Sequence, residues 1–262
     1  MAVSFGTGSD REAGQAWLAA WLAWIAGATD SVVYLTMFHV FSGHQSGNSI
    51  RLGFHLGQGD YAAVLLRAFP IPLFVLGVAL GAAFGEQGIR HGTRSRRAAV
   101  FMLEAALLVA FLALGETALH GSGRPADGWR FYLLLALPTL ALGVQNATVR
   151  RVGQHTVRTT FVTGMLTDMA EGVVEYGYWL VDRLPRRRPA VGSLLRTSLR
   201  QPAPRRAVLY MAMCLAYVGG AALGGWSQLH WALFALSIPL AGLAVVVAYT
   251  LWRPAVPPPT PG

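Results

Sequence analysis

Six apolar stretches, each close to the ~20 residues a helix needs to cross a bilayer, divide this chain at 15–38, 68–85, 98–119, 131–149, 207–228 and 231–252. A segment in hydrocarbon must pair its own backbone N–H and C=O groups, and a helix does so. This constraint predicts an all-α membrane protein of six transmembrane helices. Composition agrees. Hydrophobic residues make up 54% of the chain and charged ones 13%, with a mean hydropathy of +0.45, whereas soluble proteins carry about a quarter charged residues.

Two less hydrophobic stretches, 39–60 and 156–181, lie between the spans and carry one pattern twice. Ser46-Gly47-Asn48-Ser49-Ile50-Arg51-Leu52 returns 117 positions later as Thr163-Gly164-Met165-Leu166-Thr167-Asp168-Met169. Each copy follows a hydrophobic segment carrying a polar residue, in Gly27-Ala28-Thr29-Asp30 and again in Gly143-Val144-Gln145-Asn146. Each also precedes a glycine-spaced span, with Gly77, Gly81 and Gly85 in the first copy and Gly220 and Gly224 in the second.

Arginine placement orients the copies. All 21 basic residues are Arg. Suppose the N-terminus is cytoplasmic and neither motif stretch crosses. Then every arginine except Arg51, Arg67, Arg124 and Arg130 falls on the cytoplasmic side, as the positive-inside rule favours. Full crossing by both motifs would move Arg90, Arg94, Arg96, Arg97, Arg150, Arg151 and Arg158 outside. The first arrangement puts both termini in the cytoplasm and makes residues 1–119 and 131–252 a three-plus-three inverted-topology repeat, with its axis in the membrane plane. The motif stretches then enter from opposite sides as re-entrant or broken helical elements. Interfacial amphipathic helices are the alternative. The net charge of +9 is explained by membrane orientation, so no nucleic-acid partner is expected.

Each polar residue in the repeat has a functional and a purely structural reading. Asp30 lies in an apolar span, where a carboxylate must be paired, hydrated or protonated. It is either a proton- or ion-coupling group or an acceptor for the backbone of the facing re-entrant loop. Asn146 is its uncharged counterpart, with Gln145 beside it. Ser46 and Thr163 suit helix N-caps. Helix starts there would aim free N–H groups and partial positive charge at a cavity, and Gly47 and Gly164 would allow close approach. Asn48, Arg51 and His55 share one helical face by spacing, as do Asp168, Glu171 and Glu175. Those faces either meet in ion pairs or each face water. The glycine ladders at Gly77, Gly81, Gly85, Gly220 and Gly224 are helix-packing positions, and they would serve a homo-oligomer interface equally well.

The basic loop at 183–206 is a candidate anionic-lipid contact. The tail at 253–262, with five prolines, is expected to be extended and mobile. The N-terminal residues lack a cleavable signal pattern, so the first span is expected to stay as an anchor. Cys214 is the lone cysteine, so no intrachain disulfide can form. No metal, nucleotide or hydrolase motif occurs, and no cofactor, metal or enzymatic activity is expected. His44 beside Ser46-Gly47 leaves a weak intramembrane-hydrolase alternative.

Ala26-Gly27-Ala28-Thr29-Asp30, Ser46-Gly47-Asn48-Ser49, Gln145-Asn146-Ala147 and Thr159-Thr160-x-x-Thr163-Gly164 together resemble the bacterial YoaK-like family of multi-pass membrane proteins, a domain of unknown function. The resemblance spans roughly residues 15–252 and implies a bacterial inner-membrane protein of about six helices. It carries no activity and assigns no site residue. The repeat itself points to a transporter or channel for a small polar or anionic solute, its path lined by Asp30, Ser46, Asn48, Arg51, Asn146, Thr163 and Asp168. A non-transporting scaffold or sensor would use the same residues as a closed hydrogen-bonded core.

Overall fold

The computed structural model describes residues 8–91, 94–119, 128–148, 151–152, 155–183 and 202–252. The basic segment from 184 to 201 and the Pro-rich tail lie outside them. Among the described residues the regular structure is helical apart from a two-residue ladder, Arg151–Val152 antiparallel to His155–Thr156. Its helices are α1 (Gly8–Thr36), α2 (Gln45–Gln58), α3 (Tyr61–Ala68), α4 (Pro70–His91), α5 (Arg94–Leu119), α6 (Trp129–Asn146), α7 (Val162–Arg183), α8 (Pro202–Trp231) and α9 (Ser237–Trp252), with a 3-10 turn at Ala232–Leu236. Each of the six expected spans falls on a helix: α1, α4, α5, α6, α8 and α9.

Among the described residues four helical stretches are long and apolar enough to cross a membrane: Glu12–Thr36, Tyr61–Gln87, Ala98–Glu116 and Pro204–Trp252. The last folds back at the 3-10 turn, where Ala232 has φ 49°. Gly220 before the turn and Gly242 after it both lie against Trp24. α6 is not among the four; Arg130, Gln145 and Asn146 stand near its ends. Val75, Leu80, Phe84, Met102, Val109, Leu215, Val218 and Val245 are large apolar side chains exposed on four of these helices. An apolar surface of that extent is one a bilayer covers.

Glycine sets the two closest helix pairs. α8 lies parallel to α1, with Gly220 against Trp24 and Gly224 against Ala28, while Gly27 of α1 faces Tyr217 and Ala221. α4 lies parallel to α6, with Gly77 against Leu140 and Gly143, and Gly81 against Val144 and Ala147. Gly143 in turn faces Phe74 and Val78. The second set of contacts matches the first position by position, so the duplicated sequence makes duplicated packing. A Cβ at Gly27, Gly77, Gly220 or Gly224 would strike backbone of the partner helix, and small residues are what permit such approach in lipid. Gly85 differs from the expectation: no neighbour lies within 4 Å of its Cβ position, so the first ladder has two rungs.

α1 runs antiparallel to α9, with Trp17 against Tyr249 and the Trp21 indole N–H donating to the Gly242 carbonyl at 3.1 Å. The main core joins Leu22 and Ile25 of α1, Phe101 and Leu108 of α5, Ala141 of α6, Met213 of α8 and Leu243 of α9.

Candidate functional site

Beyond Thr36 the chain turns through Phe38 and His39, both in the left-handed region (φ 51° and 57°), and doubles back to the level of Asp30. Neither residue is glycine, so the turn is held from outside. Arg51 Nη1 and Arg67 Nη1 both donate to the His39 carbonyl, at 2.6 and 2.7 Å. Arg51 Nη2 also donates to the Tyr34 hydroxyl. These cations occupy carbonyls beyond the C-terminus of α1, where its dipole is negative.

The returning loop closes on Asp30, which is 2% exposed. Its Oδ1 accepts from the Ser42 N–H at 2.9 Å, the Ser42 hydroxyl at 2.8 Å and the Gly43 N–H at 2.9 Å. Its Oδ2 lies 2.6 Å from His44 Nδ1 and accepts from the Tyr217 hydroxyl at 3.1 Å. Tyr217 also lies 3.1 Å from His44 Nδ1, so Asp30, His44 and Tyr217 are each within one proton transfer of the other two. The carboxylate therefore meets loop backbone. Hydrogen bonds to a charged group contribute about 1.5–3 kcal/mol each, and here they tie two helices to one loop.

The second copy has the same plan with an amide in place of the acid. Asn146 Nδ2 donates to Thr160 Oγ1, and Gln145 Nε2 donates to the Leu22 carbonyl at 2.6 Å. Both residues are buried. The two loops meet at Gly43, where a Cβ would lie 3.1 Å from Thr160 Cγ2 and 3.3 Å from Asp30 Oδ2. From that meeting point α2 and α7 leave in opposite directions. α2 heads toward the C-terminal end of α1, its Arg51 reaching Tyr34. α7 follows α8 toward the N-terminal end of α8, where Arg206 donates to the Asp168 carbonyl at 3.2 Å and to Glu171 Oε2 at 3.0 Å.

Several expectations need correction. Ser46 and Thr163 are not N-caps. α2 starts at Gln45 after His44, and α7 starts at Val162, so both lie inside a first turn and are exposed. Other groups close the turn before α2: Asn48 Oδ1 accepts the Phe41 N–H while its Nδ2 donates to the Phe41 carbonyl. Gly47 and Gly164 are approached by the chain's own aromatic rings, Phe41 and Phe161. The charged faces do not meet, since Arg51 is committed to the His39 turn and Glu171 to Arg206. α7 is no short element either: its 22 residues extend about 33 Å, with no proline before Pro185.

Asp30, Gln145 and Asn146 are all buried, Asp30 against the first loop, Asn146 against Thr160 of the second and Gln145 against α1. Asn48 and Arg51 stand on α2, and Thr163, Gly164, Asp168 and Glu171 on α7. Gly164 and Asp168 border a cavity of about 170 Å³ with Arg158, Phe161, Met165 and Tyr210. Sequence reasoning missed Tyr217 and Thr160, which join the cluster only through folding. It also missed Glu104, a carboxyl in the apolar span 98–119, for which the rule applied to Asp30 was an available signal. Among the described residues no group of three or more His, Cys, Asp and Glu could hold a metal ion.

The UPF0700 transmembrane protein YoaK of Bacillus subtilis (strain 168) is 24% identical over 148 residues, covering 56% of this chain. The matched region spans 62% of that relative's length. No solved structure matches. A family described as "Protein of unknown function (DUF1275)" matches residues 18–249, nearly the whole set of helices, and the chain belongs to that family.

Proposed function

We propose that this is a bacterial inner-membrane protein with six crossings and both termini in the cytoplasm, built as a three-plus-three inverted repeat that passes a small polar solute. The contact of Gly43 with Thr160 carries the reading. There, two loops returning from opposite ends of the bundle touch between Asp30 and Asn146, the arrangement by which inverted-repeat transporters place a site near the midplane. Parallel packing of α1 with α8 and of α4 with α6 supports it, since three-plus-three topology requires both. In this reading the path runs past the cluster of Asp30, Gln145 and Asn146 and on between Asn48 and Arg51 on one side and Asp168 and Glu171 on the other. Asp30, His44 and Tyr217 move a proton or gate the loop. The protein carries out no covalent chemistry on its solute.

The saturation of Asp30 by five contacts favours a second reading, a closed scaffold or sensor. Release of small solutes from proteoliposomes separates the two. Wild type should release at least one small polar solute faster than protein-free vesicles. Gly43→Leu, which fills the loop contact, should slow that release. Wild-type vesicles that release nothing faster than protein-free ones would leave the scaffold.

A further inference from the structure

Arg51 of α2 and Arg67 of α3 converge on one acceptor. Both donate through Nη1 to the His39 carbonyl, at 2.6 and 2.7 Å, so the two nitrogens are at most 5.3 Å apart, the sum of those distances. Arg51 also donates to the Tyr34 hydroxyl and lies over the Tyr34 and Phe41 rings, 5.6 and 5.5 Å from their centroids. Arg67 is 9% exposed, and its Nε is buried with no hydrogen-bond partner among the described residues. Neither guanidinium pairs with a carboxylate among those residues. Asp60, between α2 and α3, is used elsewhere: it accepts the Ala63 N–H at 3.1 Å and lies 3.6 Å from His55. The C-terminal dipole of α1 offers about half a negative charge against two full positive ones. The excess charge calls for an anion, because an unpaired, half-buried charge is costly.

The place of the pair indicates which anion. His39 follows closely on Thr36, where the membrane-crossing stretch Glu12–Thr36 ends, and Arg67 lies in the first two turns of the next, Tyr61–Gln87. Two stretches thus put the guanidiniums at one edge of the hydrocarbon, the level that arginines near helix ends reach and where phosphate headgroups lie. On the segments that build the pair, Phe38, Ile50, Phe54, Tyr61 and Leu65 are large apolar side chains exposed to the surroundings. Arginine forks match phosphate oxygens, and the His39 carbonyl shows that one oxygen bridges these two. A soluble anion would meet the same donors and leave the apolar surface bare. A phospholipid supplies a phosphate for the arginines and acyl chains for that surface.

We infer that Arg51 and Arg67 hold the phosphate of a phospholipid whose acyl chains lie on α2 and α3. The site gives Arg51 a lipid in place of a solute, leaves Asp30 and Asn146 to the solute path, and is tested without any conduction. Full-length protein in a neutral detergent is titrated with dihexanoyl phosphatidylglycerol, with a neutral glyceride of the same chain length, and with sodium phosphate at matched ionic strength. At a hundredfold excess over its dissociation constant the phospholipid should raise the wild-type melting temperature by about 5 °C or more, and the glyceride should not. Arg51→Gln and Arg67→Gln each keep an amide N–H for the His39 carbonyl. Each should need about tenfold more phospholipid, or more, for the same rise, while Arg130→Gln should respond as wild type. If the glutamine variants do not fold, Arg51→Lys decides: it keeps the charge, loses the fork and should also need more phospholipid. An equal rise with sodium phosphate would overturn the lipid as occupant and leave a site for free anions. No rise in wild type, or a rise that every arginine variant keeps in full, would overturn the site.

Discussion

Replacing Asp30 tests the central cluster most directly. Asp30→Ala strands the buried N–H groups of Ser42 and Gly43, which Oδ1 holds at 2.9 Å each. An orphaned buried donor costs about 1–3 kcal/mol, so the pair costs about 2–6 kcal/mol. Tyr217 and His44 lose a partner as well, but His44 reaches solvent and recovers much of its loss. At roughly 2–4 °C per kcal/mol for a chain of this size, the melting temperature should fall on the order of 10 °C. Asp30→Asn keeps Oδ1 for Ser42 and Gly43 and turns Nδ2 toward Tyr217 and His44, both able to accept. It loses only the charge-assisted excess, about 1–3 kcal/mol in total. Cys214 is the single cysteine and is buried, so a fluorogenic thiol dye reports unfolding of detergent-solubilised protein without further labelling. The reasoning is refuted if Asp30→Ala melts with wild type, or if Asn is the more damaging replacement.

Two further outcomes follow from the packing and the loops. Gly81→Leu would bring its Cβ to 2.6 Å from the Val144 carbonyl oxygen and 3.0 Å from Ala147 Cβ. It should cost about 1–3 kcal/mol or more in the same melting assay, while Gly85→Leu, facing open space, should stay within about 0.5 kcal/mol of wild type; equal effects would contradict the two-rung ladder. In a Cys214→Ala background, Ser46→Cys and Thr163→Cys should react with a membrane-impermeant thiol reagent from opposite sides of sealed vesicles. Labelling of both from one side would contradict the inverted arrangement.

Legibility varied with the range of the interaction. A helix is a local property where hydrocarbon demands that it satisfy its own backbone, and each of the six apolar stretches falls on a helix. The rungs at Gly77, Gly81, Gly220 and Gly224 were equally readable, because four-residue spacing places small residues on one helical face. The N-caps were misjudged because Ser46 and Thr163 have the right chemistry but lie inside the first turns of α2 and α7. For the turn before α2, Asn48 holds Phe41 and Asp30 holds Ser42 and Gly43.

What the sequence determined by itself was the helical, membrane-embedded architecture, because hydropathy and helical periodicity are encoded along the chain. Only tertiary structure decided which polar groups meet. Tyr217 reaches Asp30 from 187 positions away and Gln145 reaches the Leu22 carbonyl from 123, separations that no local pattern encodes. Folding likewise left Asp30 saturated and Glu104 without a donor among the described residues. Both carboxyls look alike in sequence as acids within apolar stretches, and the difference between them is set by what the neighbouring helices and loops bring within hydrogen-bonding distance.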